Sequence, residues 1–422
     1  MNIFYRQLRR ILGAPFFLFL LAAFLLWNGF LISQKMPMQR EINLINDIAG
    51  QTGIHINADF HQKFQKIADA SEADLRTLYQ AKTKQAPADD QKMLYALTET
   101  GLPLTGSEQD RVRDISATLN LGNAVQNHAE IYNGFDINKR GTYFLKEVGA
   151  DASLTSFLKP NYAKLQQRVE QIRQDGEMDT LFFPGTTYAM HSFLYNTLLK
   201  SILMESAILG VLVMLYSVSF EFMHGTQALT YTTRRGRMLT LDQFGASLFT
   251  GLLVPLFLLG VTLPVYFSKF HYSNLWDSIV SCGMNAERNG MEIAPYVTWE
   301  PMTIRQYLWT SIAILFGLQV IFCLFAFVTA VLCRNSYIGF LGYALISMAL
   351  LALPSMISPR SLPAYLTACN PITAWSICRA WLTQVGSAAV YPQYIPAILC
   401  CWGLLSVVLI TFSLRHFRRR DL

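Results

Sequence analysis

The sequence contains no Gly-Lys dipeptide, so it holds no Gly-x-x-x-x-Gly-Lys-Ser/Thr phosphate loop, and any ATP chemistry linked to it must sit on a separate subunit. It also lacks a His-Glu-x-x-His pair and a Gly-x-Ser-x-Gly elbow, which leaves a secreted hydrolase fused to a membrane anchor without a motif. No cysteine occurs in residues 35–195, so that stretch is not a disulfide-stapled module and must be held by packing. Charge is scarce as well: 15% of residues are charged against 52% hydrophobic, a balance unusual for a soluble chain of 422 residues. The charged residues gather between positions 35 and 180, and the rest is apolar runs broken by short basic clusters. Two compartments are implied rather than one globular core.

The chain opens with Arg6, Arg9 and Arg10 and is then apolar over 11–33, long enough to cross roughly 30 Å of hydrocarbon as a helix. A cleaved signal peptide would have an apolar core of about 7 to 15 residues closed by a small-residue cleavage site. This run is longer and leaves through Ser33-Gln34-Lys35-Met36, which favours an uncleaved anchor. Residues 2–10, with Ile3, Phe4 and Leu8 among the arginines, are expected to form a short interfacial helix. Five further spans are expected at about 198–220, 244–267, 307–333, 337–357 and 394–414, with Pro255 and Pro264 as kink positions in the third. Lys and Arg number three before the first span, three in 221–242, one in the turn Arg334-Asn335-Ser336 and four in the tail, against five spread over the two later loops of opposite side. The positive-inside rule then puts both termini in the cytoplasm and residues 35–195 outside, in a multi-pass cell-membrane protein.

That outer stretch reads as α-rich. Phe60, Phe64, Ile67, Leu75, Leu78 and Tyr79 fall near one helical face, and Ser71 with Asp74 and Ser107 with Asp110 have the spacing of N-terminal caps. Tyr162, Leu165, Val169 and Ile172 continue a helix from near Pro160 to Asp175-Gly176, while 141–148 is read as a strand. His55 and His61 can be read as metal ligands, but they stand six apart without cysteine or a tight carboxylate cluster, and a solvated or packing role fits better. The expected fold is therefore an all-α polytopic membrane protein: 1–33 as N-terminus and first span, 34–196 as an extracellular α-rich domain, and 197–422 as a five-helix membrane domain.

The segment 221–242 organises the rest. Glu221, Gly225-Thr226, an apolar helical step through Leu229 and Tyr231, then Thr-Arg-Arg-Gly-Arg with Arg234, Arg235 and Arg237, lie between two spans. With the C-terminal Phe417-Arg-Arg-Arg-Asp-Leu, this order resembles the permease subunits of type-two ATP-binding cassette (ABC) exporters. The resemblance covers six spans, the loop and the tail, about 260 residues, and its motifs count by their joint order. It implies that the loop meets an ABC ATPase subunit, that a second permease chain, identical or related, completes the transporter, and that short re-entrant helices precede the last span. Phe222, Leu229 and Tyr231 are expected to offer an apolar ridge to the ATPase while the arginines stay near anionic lipid. The large domain between the first two spans departs from compact members of that family, which leaves the substrate open.

Glu205 lies about two turns into the second span, where an ionisable group is costly; either it reaches the interface or pairs with Lys200, or it belongs to a translocation path. Trp375, Cys378, Trp381, Leu382 and Val385 form an apolar stripe that either dips into the interface or packs on neighbouring helices. Cys369 and Cys378 can be bridged or free. The function expected is export driven by ATP hydrolysed on the partner, with no catalytic, metal or cofactor site on this chain and no nucleic-acid partner. The alternative is a membrane-anchored sensor or assembly factor whose outer domain binds a ligand without transport. Six spans with kinked helices argue for export, since a sensor needs one or two.

Overall fold

The computed structural model describes residues 3–86, 89–99, 102–184, 191–231, 236–289, 292–382 and 391–419. An amphipathic helix α1 (Ile3–Leu12) is followed by α2 (Pro15–Ser33), which starts with proline where no helical N–H partner is needed. Helices α3 (Gln39–Thr52), α4 (Ala58–Thr83), α5 (Asp90–Glu99), α6 (Gly106–Asn127), α7 (Ile137–Glu147) and α8 (Ala152–Gln174) build a helical domain. A π-helical turn, Phe193–Leu198, leads into α9 (Leu199–Met223), and the short α10 (Gln227–Tyr231) precedes α11 (Leu239–Lys269). An antiparallel strand pair follows, β1 (Ala286–Asn289) with β2 (Glu292–Pro295), in register Ala286 to Pro295. The remainder is α12 (Ile304–Cys333), α13 (Ser336–Met356), the short α14 (Leu362–Thr367) and α15 (Pro371–Ser376), and α16 (Tyr394–Arg419).

Six helices among the described residues are long and apolar enough to cross a membrane: Pro15–Ser33, Phe193–Met223, Leu239–Lys269, Ile304–Cys333, Ser336–Met356 and Tyr394–Phe417. They mark a multi-pass membrane protein, and each lies within a few residues of the span read from the sequence. The second, third and fourth spans form the tightest part of the bundle. Gln319 on α12 donates from Nε2 to the carbonyls of Ser206 and Gly251, both at 2.9 Å, so one amide ties three helices together. The helices approach closely because a Cβ at Gly251 would stand 2.7 Å from the Cys323 Sγ.

The helical domain follows the apolar periodicity, with corrections at its ends. Phe60, Phe64, Leu75, Leu78 and Tyr79 are buried on α4, and Tyr162, Leu165, Val169 and Ile172 on α8. Ser71 caps nothing: α4 runs through it from Asn57, whose side chain accepts from the Phe60 amide. The second cap is Thr105 with Glu108, a reciprocal box two residues ahead of the Ser107 position, and the Lys82 ammonium and Thr105 amide hold Glu108 well down, at about 2. Pro160 sits inside α8, which begins at Ala152 under an Asp151 cap.

Residues 141–148 are not a strand but part of α7 and its end. Ile137 and Gly141, one turn apart, are buried against α8, and a Cβ at Gly141 would collide with the Tyr162 ring.

The domain is also larger than its own stretch of sequence. Segments following the third and fifth spans pack onto it. Val297 and Trp299 join the α7–α8 core, the Tyr132 hydroxyl donates to the Ser281 carbonyl at 2.7 Å, and the Asp151 amide donates to the Arg360 carbonyl at 2.8 Å. At the centre of this junction Arg168 and Glu177 form a buried two-pronged pair, both bonds 2.7 Å. Ser281 Oγ donates to Glu177, and Arg168 Nε donates to the Thr298 carbonyl, so each guanidinium nitrogen and both carboxylate oxygens carry a bond.

Candidate functional site

The end of the bundle away from that domain gathers the N-terminal helix, the ends of the second, fourth and sixth spans, and the start of the third. Its organising group is Glu221, buried in the last turn of α9. Arg10 Nη1 donates to Glu221 Oε1 at 3.4 Å, and Gln243 Nε2 on α11 donates to Oε2 at 2.5 Å. Both carboxylate oxygens are thus engaged, one from α1 and one from α11. Arg10 also donates from Nη2 to the Ser217 carbonyl at 3.3 Å and lies 3.9 Å from the Phe220 ring centroid. Burial lowers the Arg10 pKa from its ordinary value and Glu221 opposes that shift, so the carboxylate offsets the cost of holding a guanidinium here. Phe4 meets Phe249 edge-on at 6.1 Å, which lays α1 along the third span.

The second span is stopped by a glycine motif. Gly225 has φ +67°, its amide donates to the Phe222 carbonyl at 3.3 Å, and the Thr226 amide donates to the Glu221 carbonyl at 2.9 Å. This is the pairing that closes helices through a left-handed residue, and only glycine adopts that backbone without strain. Thr226 then begins the short α10, where the Thr230 amide donates to the Thr226 carbonyl.

The sequence-read residues therefore separate. Glu221 is internal and acts as a clasp. Phe222 is half-buried, with its ring edge-to-face on Phe417 at 6.2 Å and the Arg334 guanidinium 5.1 Å from its centroid. Gly225, Thr226 and Leu229 are on the surface, Leu229 at 76%. Tyr231 and Arg237 lie in α10 and the following 3₁₀ turn, and Arg234 and Arg235 lie outside the described residues. Arg10, Gln243, Arg334 and Phe417 were not singled out as site residues. The arginines carry a signal in the sequence, their charge, but charge alone speaks to orientation and not to a partner.

Glu205 is buried between the first and second spans. Asn28 Nδ2 donates to Oε2 at 2.8 Å, and Ser201 Oγ donates to Oε1 at 2.9 Å. Lys200 is not its partner: that ammonium donates to the Ser376 carbonyl at 2.8 Å and stands 5.2 Å from the Trp375 ring. The Trp-rich stripe packs inward through its indole N–H groups, Trp375 onto the Lys200 carbonyl and Trp381 onto the Ala374 carbonyl; Val385 lies outside the described residues. Cys369 and Cys378 are unbridged. Among the described residues no cluster of His, Cys, Asp or Glu is placed to hold a metal ion, and His55 pairs with Thr180 in an isolated bridge. An open groove of about 450 Å³ lies between α3, α4 and α6, floored by Leu44, Ile67 and Ile115. Compared with family models, curated proteins and solved structures, the chain gives no match.

Proposed function

We propose that this chain is the membrane-spanning permease subunit of an ABC exporter, working with a separate ATPase and a second permease chain. The observation that carries this reading is the Arg10–Glu221–Gln243 clasp, which joins α1, the second span and the third span at the root of the exposed α10. A push on α10 from a partner is delivered within one turn to three helices at once, because Thr226 is bonded to the backbone of Glu221 itself. The side of the bundle bearing this clasp is the cytoplasmic one by its arginines, and the helical domain then faces outward. ATP binding and hydrolysis belong to the partner, since no phosphate loop is present.

The test is to isolate the chain from native membranes with its associated ATPase and compare it with Glu221→Ala. The expected result is that the unmutated chain brings down ATPase activity and the variant, though inserted, loses most of the substrate-stimulated part. Undiminished stimulation in Glu221→Ala would show that the clasp transmits nothing.

A further inference from the structure

Glu205 is a buried carboxylate inside a span, and no Lys, Arg or His is bonded to it among the described residues. Its two bonds come from neutral donors, an amide and a hydroxyl. The other half of that amide, Asn28 Oδ1, has no hydrogen-bond partner among the described residues, and Asn28 is only 1% exposed. A carboxylate and an orphaned carbonyl oxygen thus meet at one helix junction, and both call for positive charge. The nearest cation in sequence, Lys200, is committed to Ser376 and Trp375.

The junction has an apolar approach. Trp27 and Phe30, 50% and 51% exposed on the first span, pack with ring centroids 5.6 Å apart. The Trp27 Nε1–H donates to Ser201 Oγ at 3.2 Å, and Ser201 in turn donates to Glu205, so the indole is the outermost member of the chain of bonds that covers the carboxylate. Aromatic faces beside a buried carboxylate suit a cation whose charge is carried on an apolar body.

We propose that the α2–α9 junction binds a lipophilic organic cation, with the positive centre against Glu205 and Asn28 and the apolar body along Trp27 and Phe30. This rests on the export reading for its purpose, because such a ligand in this place is a candidate for the exported class. Binding itself needs no ATPase, so the two ideas fail separately.

The probe is radiolabelled tetraphenylphosphonium, measured by equilibrium dialysis on the full chain in lipid nanodiscs without ATPase, with tetraphenylborate as the anionic counterpart. A saturable phosphonium component is expected, displaced by excess unlabelled phosphonium and not seen for labelled tetraphenylborate measured in separate samples, weakened about tenfold or more in Glu205→Gln and largely kept in Glu205→Asp. Trp27→Ala, which leaves the carboxylate in place, is expected to weaken it several-fold and decides the matter if Glu205→Gln does not assemble. Absence of a saturable component above that of empty nanodiscs overturns the proposal, as does equal binding by Glu205→Gln or, where that variant fails, by Trp27→Ala.

Discussion

At the scale of single residues, burial sets the most testable properties. His191 lies just ahead of the second span between Phe182, Tyr195 and Tyr307, with ring centroids 4.5 to 5.7 Å away, and neither ring nitrogen has a partner among the described residues. Burial alone pushes its imidazole down from 6.5 to about 3. The unfolded chain therefore takes up this proton near pH 6.5 and the folded chain only near pH 3, so stability is complete above that range and lost as pH falls through it. The expected loss is about 1.4 kcal/mol per pH unit within the window. Thermal midpoints of the purified protein against pH check this: His191→Phe, which keeps the ring shape, should fall less steeply below pH 6.5 than the unmutated chain. Parallel curves would remove His191 as the cause.

The Arg168–Glu177 pair gives a second prediction at this scale. Glu177→Gln leaves a buried guanidinium without its counter-charge and is expected to cost about 3 kcal/mol or more, read as a lowered unfolding midpoint; an unchanged midpoint would mean that water reaches the pair. The Ser281–Glu177 bond is not visible in sequence, because charge type is legible but a partner across 104 residues is not. Asn28 does leave a signal in the sequence, an amide in an apolar run.

At the scale of elements, helical periodicity located what packs and said less about where elements end. Phe60 to Tyr79 on α4 and Tyr162 to Ile172 on α8 were legible because burial repeats with the helix turn. Ser71 misled because a serine followed by an acid looks the same inside a helix as at its start, and the choice was made by continuous packing from Asn57 onward. The 141–148 segment has strand-forming residues, yet Asp136 caps a helix there and Gly141 lets it press against Tyr162. Gly225 supplies the prediction that belongs to this scale. Gly225→Ala, forced to hold a side chain at φ +67°, is expected to cost about 1 kcal/mol. Gly225→Pro cannot reach that φ and also removes the amide bonded to Phe222, so it should uncouple ATPase stimulation while membrane insertion, fixed by the arginines, continues. Normal coupling in Gly225→Pro would show that the turn need not be shaped this way.

At the scale of the whole molecule, the spans were the most legible feature, since length and hydropathy alone locate them. That Val297, Trp299, Leu362 and Tyr365 join the helical domain is not legible, because it rests on contacts between segments far apart in sequence, such as the backbone bonds of Asp151 with Arg360 and Gly283 with Met178. The missing phosphate loop predicts that the purified chain alone shows no saturable ATP binding or hydrolysis, whereas a preparation holding its partner shows both; nucleotide binding by the chain alone would contradict the division of labour. The central claim is that exposed α10 meets the ATPase on the cytoplasmic side while the helical domain stands outside. Site-directed crosslinking tests it most directly, with a single cysteine at Leu229 or at Asp110 in an otherwise cysteine-free chain within intact cells. The account predicts an ATPase adduct from Leu229→Cys, shielded from impermeant thiol reagent, and ready external labelling of Asp110→Cys without an adduct. External labelling at Leu229, or an ATPase adduct from Asp110, would contradict it.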